Sequence, residues 1–180
     1  MSKLEIIKMY KNGYDCIGSC LRTPSINFLP GEFGTKPLKT LIYDMLDTLY
    51  SNSSSVGLAA NQVGVLKRIC VIDIKKDGKK PLILLNPSFS SVESITEVSE
   101  EVCLSFPNIS ASVNRYKKVK VAYKNFSGEE CEIEVEGFKA KVLQHEIDHL
   151  NGIVHIDKAN EFHDYPGYSS KMAENAIKSL

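Results

Sequence analysis

The chain has 180 residues, the length of one domain, and 43% of them are hydrophobic, enough for a core. Its 22 basic and 22 acidic side chains cancel, which excludes a global electrostatic pull toward nucleic acid or an anionic membrane. No stretch approaches the ~20 apolar residues that cross a bilayer, and the start MSKLEIIKMYKNG lacks the apolar run of a secretion signal, so a cytoplasmic protein is expected.

In chain order, Cys16 and Cys20 come first, in DCIGSCL. They lack a second Cys or His pair at zinc-finger spacing and read as inert thiols; with Cys70, Cys103 and Cys131 the cysteines are odd in number, against a disulfide scaffold. In PLKTLIYDMLDTLYS, Leu38, Leu41, Ile42, Met45 and Leu49 recur at helical spacing behind Pro37, predicting an amphipathic helix. RICVIDI and PLILLNP flank the Asp-Gly turn of KKDGKK and predict a hairpin from Arg68 to Asn86.

A second hairpin is predicted from KVKVAY and ECEIEVE, where Cys131, Ile133 and Val135 alternate with glutamates. Gly137 opens a helix, FKAKVLQHEIDHL, which Asn151-Gly152 is suited to end in a left-handed cap. Met172, Ala173, Ala176, Ile177 and Leu180 predict a short C-terminal helix. Lys75, Lys76, Lys79 and Lys80 cluster at a turn, while Arg115, Lys117, Lys118 and Lys120 form a basic strand. Solvated faces account for both groups, a transient ribosome contact being the sharper reading.

The chemistry concentrates in HEIDHLNGIVH, His145 to His155. Residues i and i+4 share a helix face, so His145 and His149 can turn ring nitrogens to one metal, with Glu146 placed to take a proton from a water the metal activates. The bland alternative is a helix with two ordinary histidines. A third ligand is needed, and two residues compete for the place. His155 completes HExxHxxGxxH, the pattern of metzincin zinc endopeptidases, although only Met172 follows it to serve the methionine turn such enzymes need. Cys103, in SEEVCLSFP, offers a soft anionic thiolate, or is simply a small buried hydrophobe.

SVGLAANQVG, EVCLS and QHEIDHLNG, in this order and at these separations, resemble the three motifs of the peptide deformylases, GxGxAAxQ, EGCLS and QHExDHLxG. The likeness extends through LLNP and PNISASVNR over roughly Leu38 to Asp157. It implies a single domain over 1–180, an α+β fold whose short antiparallel sheets surround a central HExxH metal-binding helix, with the amphipathic helix before it and the short helix after. It further implies metal ligation by Cys103, His145 and His149, with Glu146 as general base. Gln62 and the backbone N–H of Leu104 would donate to the developing oxyanion.

The implied substrate is the N-formylmethionine end of a nascent peptide, paired with the main chain of Val56 and Gly57, near Val102, with Val142 helping to wall an apolar methionine pocket. The product is formate and the implied metal is iron(II), zinc, nickel or cobalt being accepted by the same ligands. Four positions depart from the pattern. Ser55 and Val102 replace glycines, Lys141 brings a cation to a pocket the family keeps apolar and is expected to extend to solvent, and His155 reads as a partly exposed strand histidine where the family is apolar. Ser55 and Val102 leave open a catalytically weak, deformylase-like peptide-binding protein.

Overall fold

The structure, a computed structural model, describes residues 2–8, 10–11, 14–15, 20–52, 55–74 and 81–164. The predicted C-terminal helix, the lysines at 75–80 and Cys16 lie outside the described residues.

A two-stranded ribbon, β1 (Tyr10–Lys11) and β2 (Tyr14–Asp15), precedes α1 (Lys36–Ser51). Thr35 caps α1 by accepting the Leu38 N–H at 3.4 Å, and Pro37 sits in the first turn, where a missing N–H leaves nothing unpaired. The apolar stripe Leu38, Ile42, Met45 and Leu49 is buried on the first of three core clusters among the described residues, with Leu58, Ile69, Val71 and Leu85. Each such side chain contributes roughly 1.5–3 kcal/mol by leaving water.

The chain continues through β3 (Gly57–Ala59), β4 (Ile69–Ile72), β5 (Leu82–Ser91), β6 (Thr96–Cys103), β7 (Phe106–Tyr116), β8 (Lys118–Lys124), β9 (Glu130–Glu136), α2 (Gly137–Leu150) and β10 (Ala159–Asp164). Among the described residues the named strands pair only antiparallel, and one isolated parallel bridge joins Ile26 to Lys67. One sheet runs β3-β4-β5-β8-β9 and a second β10-β7-β6, so β3 and β6 are both edge strands. This is an α+β arrangement of antiparallel sheets and helices. The hairpin expected from Arg68 to Asn86 is β4–β5, closed by the Asn86 N–H to the Arg68 carbonyl at 2.7 Å, and the second is β8–β9.

α2 lies inside the molecule. One face buries Ala140, Leu143, Ile147 and Leu150 on the second core cluster, against Cys70, Ile72, Leu84, Val119 and Val121 of the large sheet. Of its buried polar residues, Gln144 and Asp148 turn to β7 and His149 to the end of β6 in the small sheet, while Glu146 stands against Gly57 of β3 in the large one. Gln144 fixes the helix there, accepting the Tyr116 N–H at 3.0 Å and donating to the Tyr116 carbonyl at 2.9 Å, as a neighbouring strand would. Past the cap residue Asn151 the chain turns away at Gly152, whose φ of +75° favours glycine and where a Cβ would lie 2.6 Å from the Arg22 carbonyl oxygen.

Arg115 corrects the expectation of a solvated basic strand. It is 2% exposed and forms ion pairs with Glu101 and Asp148. The lysines behave as expected: Lys117 is exposed, and Lys118 and Lys120 lie toward the surface opposite Glu134 and Glu132 of β9. No helix among the described residues is long and apolar enough to cross a membrane.

Candidate metal centre and active site

His145 and His149, one turn apart on α2, bring their Nε2 atoms to 3.2 Å from each other. The end of β6 delivers the Sγ of Cys103 to 3.2 Å from the same His149 nitrogen. All three donor atoms lie within 4.8 Å of one another. Three lone-pair donors converging on one point cannot all be satisfied by protons they share. A tetrahedral cation with ~2.0–2.3 Å bonds fits their spacing and their N₂S chemistry.

His155 does not join this group. It is not a partly exposed strand residue either: it lies in a 3-10 turn (His155–Lys158), is 1% exposed, and its ring has no well-formed hydrogen bond, only a weak approach to the Ile109 backbone. The physical reason is the turn at Gly152, after which Val154 and Ile156 pack with Leu21, Phe106 and Ile109 and carry the imidazole in with them. Its ring sits edge-on to Phe106 at 5.3 Å and behind His145 at 5.7 Å. Burial and the neighbouring His145 push its pKa down to about 3.

A buried charge network holds the ligands. Glu101 accepts from Arg115 at 2.7 and 2.9 Å and meets His145 Nδ1 at 2.8 Å, which turns the opposite nitrogen of that ring to the centre. Arg115 also bonds Asp148, which Lys158 approaches at 2.8 Å. Burial alone would raise the Glu101 pKa, but the bonds from Arg115 and His145 hold it well below the carboxylate range. Burial opposes a proton on His145, yet Cys103 and Glu101 raise its pKa well above the usual value, and the same negative surroundings favour a divalent cation. His149, depressed by burial and by His145, is held in the neutral form that binds metals. Glu101 was missed from sequence, though a signal existed: along β6, Ser99, Glu101 and Cys103 alternate onto one face.

Glu146 stands beside this centre, buried, with Oε2 free of any hydrogen bond. Burial, with Glu101 adding, raises its pKa to about 7, although His145 and Arg115 pull the other way. Gly57 makes room for it: a Cβ there would lie 2.4 Å from Glu146 Oε1. Gln62, in the 3-10 turn Ala60–Val63, is clamped by the Ala59 N–H donating to its carbonyl at 2.9 Å. Its NH₂ is thereby aimed at the centre, 3.5 Å from Cys103 Sγ and 3.3 Å from Ser105 Oγ. Asn61 ties the turn to α2 by donating to the His149 carbonyl at 2.5 Å.

A cleft opens over the centre between the free edges of β3 and β6. Val56, Gly57, Val102, Leu104, Phe138 and Val142 line it. Of the departures, Ser55 donates to the Gly57 carbonyl at 2.6 Å, and neither it nor Val102 has a positive φ, a conformation that among the described non-glycine residues only Asn86 adopts. Val102 turns its side chain to solvent. Lys141 corrects the expectation of a solvated cation: its side chain is 19% exposed and reaches from α2 to Glu97 and the Val98 carbonyl.

A family model described as polypeptide deformylase matches residues 10–164. The chain belongs to the peptide deformylase family. The peptide deformylase of Thermotoga maritima is 46% identical over 121 residues, 67% of this chain and 71% of that one. That of Lachnoclostridium phytofermentans is 43% identical over 141 residues, 78% and 85% of the two chains. Among solved peptide deformylases, the Legionella pneumophila structure superposes with a TM-score of 0.78 at 34% identity, covering 98% of this chain and 92% of that one. An Acinetobacter baumannii structure with Met-Ala-Ser bound gives 0.76 at 29%, covering 88% and 99%. The metzincin pattern in HEIDHLNGIVH is therefore not the family of this deformylase.

Proposed function

We propose that the cleft between β3 and β6 binds the N-terminus of a newly made polypeptide as an added strand, with its formyl carbon at the Cys103, His145 and His149 centre. The chain is a peptide deformylase, a metal-dependent hydrolase that removes the N-formyl group and releases formate. The observation that carries the site assignment is the convergence of those three donors beside a buried carboxylate and a clamped amide donor.

The bound metal supplies a Lewis acid that makes water nucleophilic near neutral pH. Glu146, with a pKa near 7, takes a proton as the water oxygen bonds to the formyl carbon, then delivers it to the departing amine nitrogen as the C–N bond breaks. Gln62 Nε2 and the Leu104 backbone N–H donate to the oxygen on which negative charge collects, donors fixed before reaction. Val56 and Gly57 pair with the peptide main chain, and Val102 contributes the opposite edge. Val142, one turn before His145, walls the place of the first side chain with Val56 and Phe138. The Met-Ala-Ser held by the Acinetobacter baumannii relative has the form of the deformylated product and supports this placement.

Iron(II) is the metal proposed for the cell, with zinc, nickel or cobalt able to replace it. The work is cytoplasmic, on formylmethionyl chains at or near the ribosome. Anaerobic purification followed by elemental analysis tests the centre. One divalent ion per chain is expected in the wild type and in His155→Ala, and none in Cys103→Ala or His145→Ala. Metal kept by Cys103→Ala but lost by His155→Ala would refute the ligand set.

A further inference from the structure

The first-side-chain pocket is not uniformly apolar. Phe138, Lys141, Val142 and His145 fall on one stripe of α2, at helical spacings of three and four, so Lys141 borders the same space as Val142. Across from it, on the β6 face that carries Cys103, stands Ser99, 9% exposed and also lining the cleft.

Lys141 is anchored rather than free. Its ammonium meets the Val98 carbonyl at 3.3 Å and Glu97 Oε2 at 3.4 Å, both long contacts, and an ammonium has three donors. One N–H is left over. The anchoring holds the charge at the edge of the pocket, where the methylene stem still offers an apolar wall to an ordinary methionine. The pocket therefore combines apolar walls, a hydroxyl and a charged donor with an N–H to spare.

We propose that this pocket accepts a first side chain ending in a hydrogen-bond acceptor, methionine sulfoxide in particular, through Lys141 and Ser99. The enzyme then deformylates chains whose first methionine is oxidised as well as those whose first methionine is not. A sulfinyl oxygen in a wholly apolar pocket would be buried unpaired, whereas a charged donor offsets that loss. The inference rests on the substrate placement given above.

The test measures kcat/KM for formyl-Met-Ala-Ser and formyl-Met(O)-Ala-Ser in the wild type, in Lys141→Met, in Ser99→Ala and in the double variant. The ratio of the two values within one preparation cancels any loss of folded or metal-loaded enzyme. The preference for the unoxidised peptide is expected to rise ~10–100-fold in the double variant, the effect of losing a hydrogen bond from a charged donor, with Lys141→Met carrying most of it. A rise of less than tenfold overturns the proposal. Inhibition of the wild type by Met(O)-Ala-Ser and by Met-Ala-Ser provides a reading without variants: inhibition constants within tenfold of each other are expected, and a sulfoxide more than a hundredfold weaker overturns it. A wild type that releases no formate from either peptide instead overturns the substrate placement itself.

Discussion

Gly57 and Glu146 are in contact beside the Cys103, His145 and His149 cluster, the strand backbone standing where any side chain would strike the carboxylate. A Cβ on Gly57 would lie 2.4 Å from Oε1 and 2.8 Å from the carboxyl carbon. Since Glu146 sits on a buried helix, the displaced group is the carboxylate. Gly57→Ala is expected to lower kcat at least 100-fold with bound metal retained, a misplacement of ~1 Å having effects of that order. Near-normal turnover would show that Glu146 can do its work from another position.

Gln62 is held in one orientation by the Ala59 N–H. Gln62→Leu removes a donor aimed at the developing oxyanion and is expected to lower kcat ~100-fold or more while KM changes little. Steady-state kinetics with formyl-Met-Ala-Ser separates the two; a change confined to KM would make Gln62 a ground-state contact only.

Arg115 is the shared counter-ion of Glu101 and Asp148, all three buried. Arg115→Leu leaves Asp148 with Lys158 alone and Glu101 with the His145 ring alone, both buried, and is expected to cost ~3–5 kcal/mol. For a chain of this size that lowers Tm by roughly 6–20 °C, measured by calorimetry on metal-loaded protein. Metal affinity should fall as well, because Glu101 then loses the partner that fixes it against His145.

His155 offers the opposite expectation. Its ring nitrogens are buried between Phe106 and His145 without a well-formed hydrogen bond, the Ile109 backbone giving only a weak one. His155→Phe keeps the ring and removes the unsatisfied polar atoms, so it should keep the metal and the activity and gain ~1 kcal/mol in denaturant unfolding. Loss of metal would contradict its exclusion from the centre.

The side chains that converge were legible where one element or one motif carries them. HExxH needs only helical spacing, and Cys103 and Gln62 stood in motifs whose order is informative. The hairpins followed from alternation and turn residues. What local pattern could not show are groups whose surroundings come from far along the chain. Arg115 looked like one more basic residue beside Lys117 and Lys118, because a charge is normally exposed. Its partners, Glu101 and Asp148, lie 14 and 33 residues away and meet it only once β6, β7 and α2 pack. His155 likewise completes a ligand pattern in sequence, but where it points was decided by the turn at Gly152 and by the apolar neighbours it travels with. Lys141 was misjudged for the same reason, its anchor Glu97 belonging to another element.

Formate release from formyl-Met-Ala-Ser by the wild type, set beside Glu146→Ala of equal metal content, tests the central claim most directly. Stoichiometric formate is expected from the wild type, with the variant slower by at least a hundredfold. A fully metallated wild type that releases none, or a Glu146→Ala protein that matches it, would contradict the account.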